Sequence, residues 1–328
     1  MIEKKKYFKF HSSCVPVKGQ KRGVIYDLQR GTFYFVPNSI IDILVENSKN
    51  KIESLFLKYP TQEELVEKYL KYLIENELIF LVNDLNHFPE IETNFDRPFL
   101  LDILFIELDS LSKSKIKVLE KINELGCTQL IIITYKIVNI DIIKKVIDLL
   151  SKSKIQVINL ITKYNNEICS EILEIHNKSP RLRETIFFES PQDINDNYIK
   201  FTKKNLKNVL TKRITNINDL IINQDAYFES LKYNLFFNRK IYITNSGEIK
   251  HYFNDTGLYG NIKYDEIQKV VNSDNFQNLW NIRKVEVEEC KNCEFRYLCP
   301  DNRIPIRENN IFLHQTSCSY DPKEAKWN

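Results

Sequence analysis

Hydrophobic and polar positions change their period along the chain and divide it into three expected regions. In residues 1–85, two short runs rich in β-branched and aromatic residues, 24–28 and 32–36, flank Gln29, Arg30 and Gly31, a hairpin signal with a glycine available for positive φ. An apolar helix is expected over 39–46, with Ile40, Ile41, Ile43 and Leu44 as its buried stripe. Thr61, with Glu64 three residues on, has the spacing of a capping box; it opens a helix to about residue 76 whose Leu65, Tyr69, Tyr72 and Leu73 fall at helical spacing. Residues 78–82 read as a final strand. The polar stretch 83–98, with Pro89 and Pro98, reads as a linker.

From residue 99 the pattern alternates between strands and helices. Apolar runs at 100–108, 130–134, 155–161 and 185–188 enclose helical patterns at 113–125, 141–150 and 167–176. Ile116, Leu119, Ile122 and Leu125 mark one helix face, and Ile143, Val146, Ile147 and Leu150 the next. Near-continuous strands between amphipathic helices imply a parallel sheet of about four strands covered on both faces. The region is too short for a complete eightfold barrel of ~250 residues. Residues 195–232 are polar and Asn-rich, with room for a helical excursion. A hairpin follows, 239–244 and 248–253 around Asn245, Ser246 and Gly247, and then a helix over 264–280. The expected fold class is therefore multidomain, α+β at the start and α/β in the middle, with domains 1–85, 96–230 and 231–328.

Composition narrows the function. Of 328 residues, 43% are hydrophobic and 28% charged, enough for sizeable cores. The net charge is only +3 and the charges are interspersed, which disfavours nucleic acid and anionic membranes. The 7 glycines form neither of the common phosphate-binding loops. No run approaches a membrane span, and the basic N-terminus has no apolar segment behind it, so a soluble cytoplasmic protein is expected.

Cysteine distribution changes the picture most. Of 7 cysteines, Cys290, Cys293, Cys299 and Cys318 cluster near the C-terminus, beginning with C-x-x-C. Four thiolates form a full set for tetrahedral zinc or for a [4Fe–4S] cluster, and composition does not choose between them. A closed site of this kind favours structure or electron transfer over Lewis-acid catalysis. Cys127 and Cys169 read as small buried hydrophobes, Cys169 sharing a helix face with Ile172, Leu173 and His176. Cys14, between Ser13 and Val15, has no pattern to place it.

The string from Cys290 to Arg303, Cys-Lys-Asn-Cys-Glu-Phe-Arg-Tyr-Leu-Cys-Pro-Asp-Asn-Arg, followed by Cys318-Ser-Tyr-Asp-Pro, resembles the SPASM domain of peptide-modifying enzymes. Asn238 to Ile243, Gly247 to Lys250 and Tyr259 to Ile262 extend the likeness upstream. It is most similar to the SPASM-domain peptide maturases of grasp-with-spasm systems, which occur beside an ATP-grasp ligase and a small precursor peptide. The resemblance implies that Cys290, Cys293, Cys299 and Cys318 hold one [4Fe–4S] cluster. Ligands for the second cluster common in such domains are missing: no cysteine lies near Phe236 or His251, and Asn302 and Arg303 stand where another would fall. His251 reads as a surface or hydrogen-bonded residue.

The middle region resembles a degenerate radical SAM barrel in element order. Residues 108–114 carry none of the three cysteines that would bind an S-adenosylmethionine cluster, so no S-adenosylmethionine is expected. The N-terminal unit resembles a PqqD-like winged-helix element, which captures a leader peptide as an added strand. The resemblance makes Thr32, Phe33, Tyr34, Phe35 and Val36 the receiving edge, flanked by Lys68, Tyr69 and Tyr72.

The implied role is maturation of a ribosomally synthesised, post-translationally modified peptide, of the graspetide kind: binding a precursor leader and acting with an ATP-grasp ligase. The preferred version is an accessory protein; its alternative is a redox-active iron–sulfur enzyme acting on the precursor. A second alternative is a zinc-containing winged-helix nucleic-acid binder. No catalytic residue is assigned, and Asp102, Glu107 and Asp109 read as strand-end solvated groups or salt-bridge partners.

Overall fold

A computed structural model describes residues 2–89, 92–211 and 213–328. Met1, Glu90 and Ile91 of the expected linker, and Lys212 of the polar stretch lie outside the described residues. The chain forms two compact units: Met1–Phe95, Arg213–Leu235 and Ile282–Asn328 make unit 1, and Asp96–Lys212 with Phe236–Asn281 make unit 2. These cut across the expected boundaries at 85, 96 and 231, because pairings between distant segments, rather than sequence proximity, hold each unit together.

Unit 1 begins with β1 (Tyr7–Phe10), β2 (Cys14–Lys18), β3 (Gly23–Asp27), β4 (Thr32–Val36), α1 (Asn38–Glu46), α2 (Ile52–Lys58), α3 (Glu63–Glu75) and β5 (Ile79–Val82). β1 pairs with β5, and β2, β3 and β4 form an antiparallel sheet in that order. Successive side chains of a strand point to opposite faces, so the sheet separates two cores. Cys14, Ile25, Tyr34 and Val36 enter one core with Ile41, Leu44, Ile52, Leu55, Leu70 and Leu73 of the helices. Val15, Val17, Val24, Tyr26 and Phe33 enter the other, with Phe295, Leu298 and Tyr320 from the C-terminal segment. β3 is buried at every position for this reason.

Several expectations change here. β1, β2 and α2 carry no clear sequence signal: Lys9 interrupts the first, and Pro16 stands in the second, which tolerates it as a sheet edge. Thr61 caps no helix, because Pro60–Gln62 forms a 3₁₀ turn and α3 starts at Glu63. The buried stripe of α3 is Val66, Leu70 and Leu73; Leu65 and Tyr72 face solvent.

Unit 2 contains β6 (Ile103–Glu107), α4 (Lys113–Glu120), α5 (Ile122–Leu125), β7 (Gln129–Ile133), α6 (Ile140–Leu149), β8 (Val157–Lys163), α7 (Asn166–Lys178), β9 (Leu182–Phe188), β10 (Ile194–Asp196), β11 (Ile199–Phe201), β12 (Lys240–Ile243), β13 (Glu248–Lys250) and β14 (Gly260–Asn261). They build one mixed sheet in the order β10-β11-β9-β8-β7-β6-β12-β13-β14, parallel from β11 to β12. The expected four parallel strands are its centre, where Leu130, Ile132, Ile158 and Leu160 are fully buried.

The hairpin expected in the C-terminal domain instead extends this sheet, since β12 pairs in parallel with β6. The Asn-rich stretch supplies the edge hairpin β10–β11 as well as helix. Two expected helices are split. α4 and α5 break at Lys121, and the second helix, expected over 264–280, divides at Ser273, whose hydroxyl accepts the Phe276 N–H and caps a new start at Asp274–Asn281. Gly126 ends α5 at φ +82, a conformation that favours glycine.

Candidate functional site

In unit 1 the segment Ile282–Asn328 lies against the outer face of the β2–β3–β4 sheet, and the residues between its cysteines make the contact. Glu294, directly after Cys293, is fully buried. Its Oε1 accepts from Arg22 Nε at 3.0 Å and from the Tyr320 hydroxyl, and its main-chain carbonyl accepts the Tyr26 hydroxyl. Arg296 Nη1 donates to the Lys18 carbonyl at 2.7 Å. Phe295 meets Phe33 and Phe35 at ring-centroid distances of 5.4 and 6.1 Å, and packs with Tyr320 and Trp327. Tyr297 lies edge-on to Tyr227 at 5.7 Å. The Glu-Phe-Arg-Tyr part of the cysteine string therefore joins this segment to the rest of its unit.

All four clustered cysteines are half-buried free thiols. Cys290 interacts electrostatically with Cys293, Cys299 and Cys318, and Cys293 with Cys299. Main-chain N–H groups of Phe295 and Tyr320 point to the sulfurs of Cys293 and Cys318, each at 3.4 Å. Burial raises the Cys290 and Cys293 thiols above their ordinary value and pushes Cys299 up to about 12; Lys284 works in the opposite sense at Cys290 and Cys299.

A charged cluster that sequence reasoning missed stands beside these thiols. Buried Lys284 Nζ lies 2.8 Å from Asp301 Oδ2, and Arg303 Nη2 lies 2.9 Å from the same oxygen. Burial works to lower the Lys284 ammonium, but Asp301, Cys290 and Cys299 outweigh it and raise it. Burial, reinforced by Lys284 and Arg303, lowers His314 to about 3 and keeps it neutral. Buried Lys284 and partly exposed Arg303 share the Asp301 carboxylate, and Lys284 favours the thiolate form at Cys290 and Cys299. Among the described residues, no three His, Cys, Asp or Glu side chains stand together closely enough to cage an ion. The four thiols fit a four-thiolate centre in kind and number, and binding would have to draw the sulfurs together.

The proposed receiving strand, β4, ends its sheet and pairs with β3 alone among the described residues. Phe35 is 41% exposed, with the Arg22 guanidinium 3.5 Å over its ring. Tyr34 and Val36 turn toward the helical core, which Tyr69 also joins. Lys68 and Tyr72 are exposed on α3.

At the carboxyl end of the unit 2 sheet, where open α/β sheets bind ligands, polar side chains hydrogen-bond one another. Glu107 is buried rather than solvated: Oε1 accepts from the hydroxyls of Tyr135 at 2.8 Å and Tyr242 at 2.6 Å, and Oε2 from the Asn245 N–H at 2.7 Å. Asp109 accepts from Asn245 Nδ2 and the Tyr135 N–H, and Lys115 Nζ binds Asn245 Oδ1 and the Ser110 carbonyl. Asp102 is a salt-bridge partner, to Arg239 at 3.0 Å. His251 is buried, with Nδ1 2.7 Å from Asp255 Oδ2 and Nε2 2.7 Å from the Phe276 carbonyl oxygen. Of the scattered cysteines, Cys14 and Cys127 are buried. Cys169 is only half-buried and donates to the Asn165 carbonyl; the buried face of α7 is Ile168, Ile172 and Ile175, with Leu173 exposed.

No family model matches the chain, and no curated protein matches it. Among solved structures, BtrN in an open conformation is similar at 12% identity over 60% of this chain and 94% of that one, with a TM-score of 0.38. Streptococcus suis SuiB bound to S-adenosylmethionine is similar at 10% identity over 89% of this chain and 94% of that one, with a TM-score of 0.27. SuiB bound to the precursor peptide SuiA gives the same identity, coverage and TM-score. Likenesses this slight set neither fold nor activity. No described helix is long and apolar enough to cross a membrane.

Proposed function

We propose that this protein takes part in maturing a ribosomally synthesised peptide, as a cytoplasmic accessory protein that binds the precursor's leader and acts with an ATP-grasp ligase. Its metal centre would be held by Cys290, Cys293, Cys299 and Cys318. The observation that carries the reading is the joining, within one unit, of an open sheet edge to the cysteine-bearing segment through Phe33, Phe35 and Phe295. A strand laid along β4 gains main-chain hydrogen bonds for affinity, while Tyr34 and Phe35 offer surfaces that read its side chains. Lys68, Tyr69 and Tyr72 flank that edge in this reading.

A [4Fe–4S] cluster, or zinc in its place, would supply electron transfer or a structural cross-link respectively. Lys284 and Arg303 would stand beside it, and the N–H groups of Phe295 and Tyr320 would support the Cys293 and Cys318 sulfurs that hold it. No radical SAM step is part of the reading, because residues 108–114 contain no cysteine.

The test is binding of a synthetic leader peptide from the partner precursor to the full chain and to Phe35→Pro. Proline removes a main-chain donor from the edge, and an interrupted strand addition should weaken binding about tenfold. Unchanged affinity in a variant with native circular dichroism would exclude β4 as the receiving edge.

A further inference from the structure

Building on that reading of the cysteine segment and β4, we infer that metal occupancy and the receiving edge are coupled, with Arg22 as the positioning residue between them. Arg22 makes two contacts at once: its Nε is 3.0 Å from Glu294 Oε1, and its guanidinium lies 3.5 Å over the Phe35 ring. Glu294 is bonded covalently to Cys293 on one side and to Phe295 on the other, and Phe295 is in ring contact with both Phe33 and Phe35. The second ligand arm reaches the same point. Tyr320, whose N–H faces the Cys318 sulfur, donates its hydroxyl to Glu294 Oε1 and lies 3.4 Å from Arg22 Nη2.

Drawing the four sulfurs onto one ion fixes the backbone at Cys293 and Cys318. Each is adjacent to, or two residues from, a group that grips Arg22. The Glu294 carboxylate is fully buried and its Oε1 is shared by Arg22 Nε and the Tyr320 hydroxyl, so a shift of Glu294 or Tyr320 moves Arg22 with it. A metal that orders the cysteine segment thereby orders Arg22, the Phe35 ring and the β4 edge. By linkage, a peptide bound on β4 raises metal affinity by the same factor that metal raises peptide affinity.

The test uses the reduced, chelator-stripped full-length chain with and without zinc(II), read by hydrogen–deuterium exchange and needing no peptide. Zinc should slow exchange across residues 22–36 by about fivefold or more, while residues 79–82 on the helical side of the unit change less. Arg22→Lys, which keeps the charge and loses the planar stack, should retain part of the effect. Phe35→Leu, which leaves no buried charge unpaired, should remove most of it while zinc still binds. Zinc bound with exchange at 22–36 unchanged would overturn the coupling and leave the metal site standing. Failure of the reduced chain to bind zinc at all would overturn both.

Discussion

Both ring nitrogens of His251 are engaged, Nδ1 with the Asp255 carboxyl and Nε2 with the Phe276 carbonyl oxygen, so neither is free for a metal. The ring also stacks on Phe276 at 4.3 Å. Burial works to raise the Asp255 carboxyl, but hydrogen bonds from His251 and from the Gly257 N–H outweigh it and hold it below its ordinary value of 3.8. A carboxyl lowered on folding contributes stability that is present above its unfolded value and lost as pH falls through its folded value. Unit 2 should therefore lose stability below about pH 4. Asp255→Asn should cost about 1–3 kcal/mol at neutral pH, by replacing one acceptor oxygen of a buried, hydrogen-bonded carboxyl, and should flatten that acid dependence. Urea unfolding at pH 7 and pH 3.5 measures both; a variant as stable as the parent, with the same acid slope, would contradict this role.

Among the elements, those with dense apolar runs were legible in the sequence and those whose stability comes from distant partners were not. β4 lies where its aromatic alternation placed it, and β6 to β9 follow the β-branched runs. The edge hairpin was not readable, because β10 is exposed throughout and carries no amphipathic period. The cysteine string was legible as a candidate ligand set, whereas the work of Glu294 was not: Arg22 lies 272 residues away. Lys284 and His314 likewise gain meaning only when folding brings them to Asp301. Gly126, between α5 and β7, shows a need for glycine that only the folded backbone reveals. At φ +82, a Cβ there would stand 2.1 Å from Phe99 Cβ. Gly126→Ala should destabilise unit 2 by at least about 1–2 kcal/mol, from the left-handed backbone alone. Chemical denaturation checks it, and a neutral result would mean that the α5–β7 turn relaxes freely.

At the scale of the whole molecule, each unit is assembled from separated stretches of chain. The β2–β3–β4 sheet has one face covered by α1 to α3 and the other by residues that arrive after position 213. A reading that cuts the chain into consecutive domains separates those partners, because hydrophobic alternation shows that both faces are buried without showing what buries them. The same arrangement gives the account its centre, the proposal that the four clustered cysteines hold a metal in the unit that presents the β4 edge. Its most direct test is metal analysis of anaerobically purified full-length protein, together with Cys293→Ser and Cys127→Ser. The account predicts a brown protein with about four irons per chain, the metal lost in Cys293→Ser and kept in Cys127→Ser. A folded, metal-free chain that takes up neither iron nor zinc, with all four thiols open to alkylation, would contradict it.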